Sequence, residues 1–255
     1  MPARTLSFTA IEGLQEMVPG ADLAELITQA LARQGLVLAS GDVLVVAQKI
    51  VSKAEGRVVD LNAVVPSAQA QRLAAVTGKD PRLVEVVLAE SEEVVRAVPN
   101  VLIVRHRLGF VMANAGVDRS NVPAGENACV LLLPRDPEAS AHALRARLLE
   151  LQPERVGIII SDSFGRPWRR GVVNVALASC GIPALIDRRG ELDRNGRKLE
   201  ITEVAFADAV AAGAGLVMGE AAEGTPVVLV RGLELHAPER SAAALLRPKA
   251  EDLFR

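Results

Sequence analysis

The sequence predicts an α+β fold made of two interleaved subdomains with mixed and antiparallel sheets. Three observations carry that expectation. Helix-period apolar segments alternate with short β-branched runs at both ends of the chain. Between them lie three short strand-like segments in succession, a pattern more antiparallel than doubly wound. No internal repeat, low-complexity tract or long linker interrupts the 255 residues, a length that allows one large domain or two small subdomains.

The elements follow in order. Residues 21–34 carry Leu and Ile at helical spacing, with Asp22 as N-cap. Residues 41–53 open on a Gly-Asp turn and run into β-branched residues, which reads as a strand. Residues 66–78 and 80–98 read as two helices, capped by Ser67 and Asp80, with Pro81 suited to the first helical position. Segments 101–107, 109–116 and 128–134 are the three short strands. A helix over 137–151 and a strand over 155–161 come next. Residues 174–183 read as a short helix ending at Gly181-Ile182-Pro183. The polar stretch 187–199 holds a hairpin signal at Asn195-Gly196. An Ala-rich helix over 201–219, a strand over 225–233 and a last helix over about 241–253 complete the chain.

Composition narrows the function. Half the residues are hydrophobic and 2% aromatic, so the core is filled by aliphatic side chains. A formal net charge of −2 without one-sign blocks argues against nucleic acid as a partner. The opening residues lack a signal-like apolar region, and no run approaches the roughly 20 apolar residues of a membrane span, so a soluble cytoplasmic protein is expected. Cys129 and Cys180 have apolar neighbours and no CxxC spacing, and read as buried free thiols.

Several chemistries are missing from the sequence. There is no GxxxxGK[ST] loop and no GxSxG elbow. His106, His142 and His236 show no HxxH or HExxH spacing, so a His-based zinc site is not expected. The glycines of "GAGLVMG" (213–219) fall late in an Ala-rich helix and suit close helix packing better than a dinucleotide turn.

What is present is a set of carboxylates at strand ends and turns: Asp118 in "NAGVDRSN", Asp162 in "SDSFGR", and Glu220 with Glu223 in "MGEAAEG". Each could cap a turn. Three glycine-flanked segments together suggest hard oxygen ligands for Mg²⁺ or Mn²⁺. Cations accompany them: Lys53 in "KIVSKAEG", and Arg166, Arg169 and Arg170 around the chain's single Trp168. Carboxylates for a divalent ion beside basic groups for oxyanions is the arrangement phosphoryl transfer requires. Trp168 could stack on an arginine or a ligand ring, or plug its loop against the core; the plug is the favoured reading.

The segments "QKIVSKAEGR", "NAGVDRSNVP", "SDSFGRPWRRG" and "LVMGEAAEGTPVVLVRG" together resemble the coenzyme F-420-0:γ-glutamyl ligase family, from about Glu12 to Gly232 and in the family's order. The resemblance implies GTP-dependent ligation of L-glutamate to the carboxylate of the deazaflavin precursor F-420-0, with further γ-linked glutamates in some members. It implies two divalent ions (Mg²⁺ or Mn²⁺), stimulation by K⁺, and an intertwined homodimer. It also implies one ligase domain over 1–255, without the C-terminal flavin-reductase-like extension of some bacterial members. Asp118 and Asp162 match the family's first metal site, and Ser163 and Glu220 a second. The nucleotide segments fall on Glu12, Gly13, Leu14 and Gln15, on Ala47 and Gln48, on Lys53 and Asn121, and on Met218, Gly219, Glu220, Ala221, Ala222, Glu223, Gly224 and Thr225. Lys53, Arg166 and Arg169 are the candidate catalytic cations; the two arginines are assigned on charge, not on the resemblance. Ala207-Asp208-Ala209 departs from the family's usual Ala-Asp-Glu. A metal-dependent nucleotide hydrolase and a non-catalytic nucleotide or deazaflavin binder are the alternative classes.

Overall fold

A computed structural model describes residues 4–120 and 128–252. The main sheet has five strands: β1 (Ser7–Ala10), β2 (Val43–Ala47), β8 (Gly157–Gly165), β9 (Val172–Cys180) and β12 (Val227–Arg231). Their order is β1-β12-β2-β8-β9. β2 and β8 run parallel, and every other neighbouring pair is antiparallel.

The central stretches of the inner strands, Val43–Val46, Ile158–Ile160 and Val227–Val230, are apolar because both faces of the sheet are covered. Leu44, Val46, Ile158 and Ile160 pack with α1 (Leu23–Arg33) and α5 (Pro137–Leu151). The alternating Val43, Val45 and Ile159 pack with α6 (Phe206–Met218). α1 meets its face through Ala24, Ile27, Ala30 and Leu31, which recur at helical spacing. Each fully buried Leu or Ile contributes about 1.5–3 kcal/mol of burial.

After β2 the chain enters α2 (Gln48–Ala54) and leaves the main sheet. It then builds a second layer from β3 (Val58–Asp60), α3 (Ala68–Thr77), α4 (Pro81–Ala89), β4 (Ser91–Val98), β5 (Val101–His106), β6 (Val111–Ala113) and β7 (Cys129–Leu131). β4, β5 and β6 form an antiparallel sheet, and β3 pairs with β7. A separate core of Leu61, Ala70, Val84, Val87, Leu102, Val104 and Val130 holds it. The chain then returns to the main sheet through α5 and β8. This is the expected α+β arrangement of interleaved subdomains.

A charge cluster fastens the smaller unit. Glu90 Oε2 accepts from Arg57 at 2.8 Å and from Arg107 at 3.3 Å, and lies 3.5 Å from His106 Nε2. His106 Nδ1 accepts the Leu108 N–H at 2.9 Å, so the ring proton sits on Nε2, facing the carboxylate.

Other expectations hold or fail for identifiable reasons. Asp22, Ser67 and Asp80 each accept a backbone N–H in the first turn of their helices. Both cysteines are buried, and neither is in a disulfide. Asn195-Gly196 turns the segment closed by the Leu192–Lys198 bridge. The "GAG" glycines pack as expected: a side chain at Gly213 would strike Phe8, and one at Gly215 would strike Asn174.

The strand expected over 41–53 ends at Ala47, and the next seven residues are helical; Ile50 and Val51 still face the core, now at helical spacing. The helix expected over 80–98 stops at Ala89, because Ser91–Val98 pairs with β5. The third short strand pairs with β3 rather than with its predecessors. Residues 174–183 are strand as far as Cys180: pairing with β8 overrides the low strand preference of Ala. The Ala-rich helix starts at Phe206, preceded by β11 (Glu203–Ala205), which pairs with β10 (Leu185–Asp187). In place of the last helix are single 3-10 turns at Ala242–Leu245 and Lys249–Glu251, separated by Pro248. β1, unforeseen, completes the sheet edge against β12. Trp168 does not plug the core: it is 89% exposed, with φ +62, in the turn between β8 and β9.

Candidate active site

The parallel register places Ala47, the last residue of β2, beside Ser161 of β8, where the pairing between the two strands stops. Ligands of open α/β sheets bind at such carboxyl ends. β2 continues into Gln48 and Lys49 at the start of α2, and β8 continues through Asp162 and Ser163. One extra residue in β9, Leu177, lies between the Ile160–Ala178 and Ser161–Ala176 pairs. That bulge re-phases the hairpin just before Asp162. α6 ends at Met218 and hands over to Gly219 and Glu220 on the same side. Gly219 has φ +77, and a Cβ there would overlap the Glu223 side chain, so only glycine makes this turn.

These ends enclose a cavity of about 460 Å³. Its wall includes Lys49, Lys53, Asp162, Ser163, Asn174 and Glu220. The volume falls in the range of small-molecule sites.

Charge is unevenly met. Lys49 Nζ lies 2.6 Å from Asp118 Oδ2 and 2.6 Å from Ser120 Oγ. Asp118 also accepts the Ser120 N–H at 2.7 Å and the Ser120 hydroxyl at 2.9 Å. Burial acts to raise its pKa, but Lys49 and Ser120 outweigh it and hold the carboxyl below the usual range. Asp162 goes the other way. Burial pushes it up to about 7, against the Ser163 N–H, Lys49 and Gln48, while the negative charge of Asp118 adds to the rise. Glu220 Oε2 accepts the Ser163 hydroxyl at 2.7 Å, and its Oε1 accepts the Asn174 amide at 3.1 Å.

Among the described residues, neither Asp162 nor Glu220 has a cation within ion-pair distance. The negative charge of Asp118 acts on Asp162, and Ser163 is hydrogen-bonded to Glu220. The donors are hard oxygens, and Asp162 and Glu220 have no paired cation among the described residues, a set that fits divalent ions of the Mg²⁺ class.

The other sequence-picked residues divide. Leu14, Gln15, Ala47, Gln48 and Lys53 line the cavity, as do Met218–Thr225. Glu12 and Gly13 precede it; Glu12 N–H donates to Gln34 and Gly13 O accepts from Arg33. Asn121 lies outside the described residues. Arg166 and Arg169 stand in the β8–β9 turn rather than on the cavity wall, and Arg166 donates to Arg170 O at 3.4 Å.

Sequence reasoning missed Lys49 and Asn174. Lys49 was legible as the partner of Lys53 one helical turn earlier, but only once the segment is known to be helical. Asn174 was hidden by reading β9 as a helix.

A model of the family described as F420-0:Gamma-glutamyl ligase matches residues 13–232. A Methanopyrus kandleri protein named Coenzyme F420:L-glutamate ligase is 49% identical over 255 residues, covering 98% of this chain and 98% of its own. A protein of the same name from Methanocaldococcus jannaschii is 45% identical over 234 residues, covering 92% of this chain and 90% of its own. One from Methanothermobacter thermautotrophicus is 44% identical over 252 residues, covering 98% and 99%.

Proposed function

The chain belongs to the F420-0:gamma-glutamyl ligase family, and on that premise we propose that it joins L-glutamate to the carboxylate of F420-0 with GTP as the energy source. One observation supports this most: Asp162, Ser163, Glu220 and two lysines line a single cavity of about 460 Å³ where β2 ends beside β8, and Lys49 of that wall also holds Asp118. Relatives named Coenzyme F420:L-glutamate ligase support this substrate class.

Amide formation needs an activated acyl group, and the two anions that must meet repel each other. Lys49 and Lys53 present their ammonium groups to the phosphates from one face of α2. Leu14, Gln15 and the Met218–Thr225 loop hold the nucleotide against them. The F420-0 carboxylate oxygen attacks the γ-phosphorus, GDP leaves, and an acyl phosphate forms. The glutamate α-amino nitrogen then attacks the acyl carbon, expelling phosphate and releasing a proton. Asp118 with Asp162, and Ser163 with Glu220, would hold Mg²⁺ or Mn²⁺, which would screen the phosphate charge. Arg166 and Arg169, in the turn at the tip of the β8–β9 hairpin, would meet the anionic groups of the precursor or of glutamate. Stimulation by K⁺ and a homodimeric assembly belong to the same proposal.

Incubation with GTP, Mn²⁺, L-glutamate and F420-0, followed by mass spectrometry, tests it. A product heavier by glutamate units is expected. Release of GDP without glutamylation would point to a hydrolase, and no turnover would point to a binder.

A further inference from the structure

A second set of donors lies at the far end of β9. Cys180 Sγ is 3.0 Å from His142 Nδ1 on α5. Glu239, in the segment after β12, accepts the Gly181 N–H at 2.7 Å through Oε1, and its carboxylate also faces the Cys180 thiol. Among the described residues, these form the one group of three or more His, Cys, Asp or Glu whose ligand atoms fall within 4.8 Å of one another. Asn174, at the active site, lies six residues away along the same strand, on the order of 20 Å at normal strand rise.

We propose that Cys180, His142 and Glu239 bind a thiophilic divalent ion of the Zn²⁺ class, with water in the fourth position. One sulfur, one imidazole nitrogen and one carboxylate oxygen make a donor set for zinc rather than for Mg²⁺. Zn–S of about 2.3 Å and Zn–N of about 2.0 Å in a tetrahedron separate S and N by about 3.5 Å, so the present contact opens by about half an ångström on loading. The thiol S–H bond breaks, the S–Zn bond forms, and the proton leaves to water. Thiolate and carboxylate bring two negative charges. Arg145, packed over Gly181 and donating to Val156 O, supplies one positive charge, leaving an excess for the ion.

The ion would staple the C-terminal segment to the sheet. That segment already touches β9 and the turn after it: Arg240 O accepts from Ala184 N–H at 2.9 Å and from the Ser179 hydroxyl at 3.2 Å. His142 and Glu239 are exposed, so an ion has access and both can be substituted without opening the core.

The test is a Co²⁺ titration of the full chain in excess Mg²⁺, which occupies oxygen-only sites. Wild type should show a thiolate-to-cobalt charge-transfer band saturating at one equivalent, and thermal unfolding should shift upward with added Zn²⁺. His142→Ala and Glu239→Gln should each weaken binding by at least about tenfold, that is by about 1.4 kcal/mol or more, and remove the Zn²⁺-dependent shift. Absence of the band in wild type would overturn the proposal. So would a band that persists unchanged in His142→Ala, or one that disappears in Cys129→Ser.

Discussion

Asp162→Asn tests the electrostatics of the proposed cation site. Asparagine keeps the size of the side chain and removes the charge. In the protein free of divalent ions, burial lifts the Asp162 pKa from 3.8 to about 7. At 1.36 kcal/mol per pKa unit, that displacement corresponds to at most about 4 kcal/mol against the ionised folded state. The carboxyl keeps partial solvent access, so about 1–3 kcal/mol is the expected effect. The folded pKa is the raised one, so the penalty is absent below pH 4, where the carboxyl is protonated in both states. It grows as the unfolded chain loses its proton and is complete above about pH 7. Urea unfolding in EDTA should therefore find Asp162→Asn near wild type at pH 4 and more stable by that amount at pH 8. With Mn²⁺ the order reverses: wild type gains stability and turns over, whereas the variant gains little and does not ligate. A stability difference that does not change with pH would refute the burial argument. Near-normal turnover in the variant would sink the cation assignment.

Three further outcomes follow from the geometry. Lys49→Ala should lower turnover by at least tenfold and cost about 1–2 kcal/mol, since it leaves half-buried Asp118 without its cation; steady-state kinetics and urea unfolding measure both. Glu90 is held near pH 2, its burial outweighed by His106, Arg57 and Arg107. A depressed carboxyl stabilises fully above its unfolded value near 4.5 and loses that contribution as pH falls toward 2. Glu90→Gln should thus cost about 2–3 kcal/mol at pH 7 and flatten the acid limb of a stability-versus-pH curve. Gly219→Ala, at φ +77 and against Glu223, should displace the Met218–Thr225 loop and raise the KM for GTP more than it lowers stability, which should fall by about 1–2 kcal/mol.

Much of the site could be read from residues 114–121, 161–163 and 218–225, because glycine-flanked carboxylates after apolar runs are local signals. Helix caps at Asp22, Ser67 and Asp80 were legible for the same reason: the capping oxygen and its N–H lie within three residues. Apolar runs were harder. "VLVVAQKIVSK" and "NVALASCGIP" suit a buried strand or a buried helix equally by composition. Each was decided by its partner: Val43–Ala47 by the register with β8, and Val172–Cys180 by pairing with the same strand.

By itself, then, the sequence determined the α+β class, the family and the chemical character of the cavity, since residue type, short-range spacing and motif order are written in it. Only the tertiary structure decided that Lys49 neutralises Asp118, that Asn174 holds Glu220, and that Trp168 faces solvent. It also decided that His142, Cys180 and Glu239, far apart along the chain, share one corner of the sheet. The reason is physical: burial and ion pairing depend on which strands align and which faces are covered, and those are properties of the packed chain.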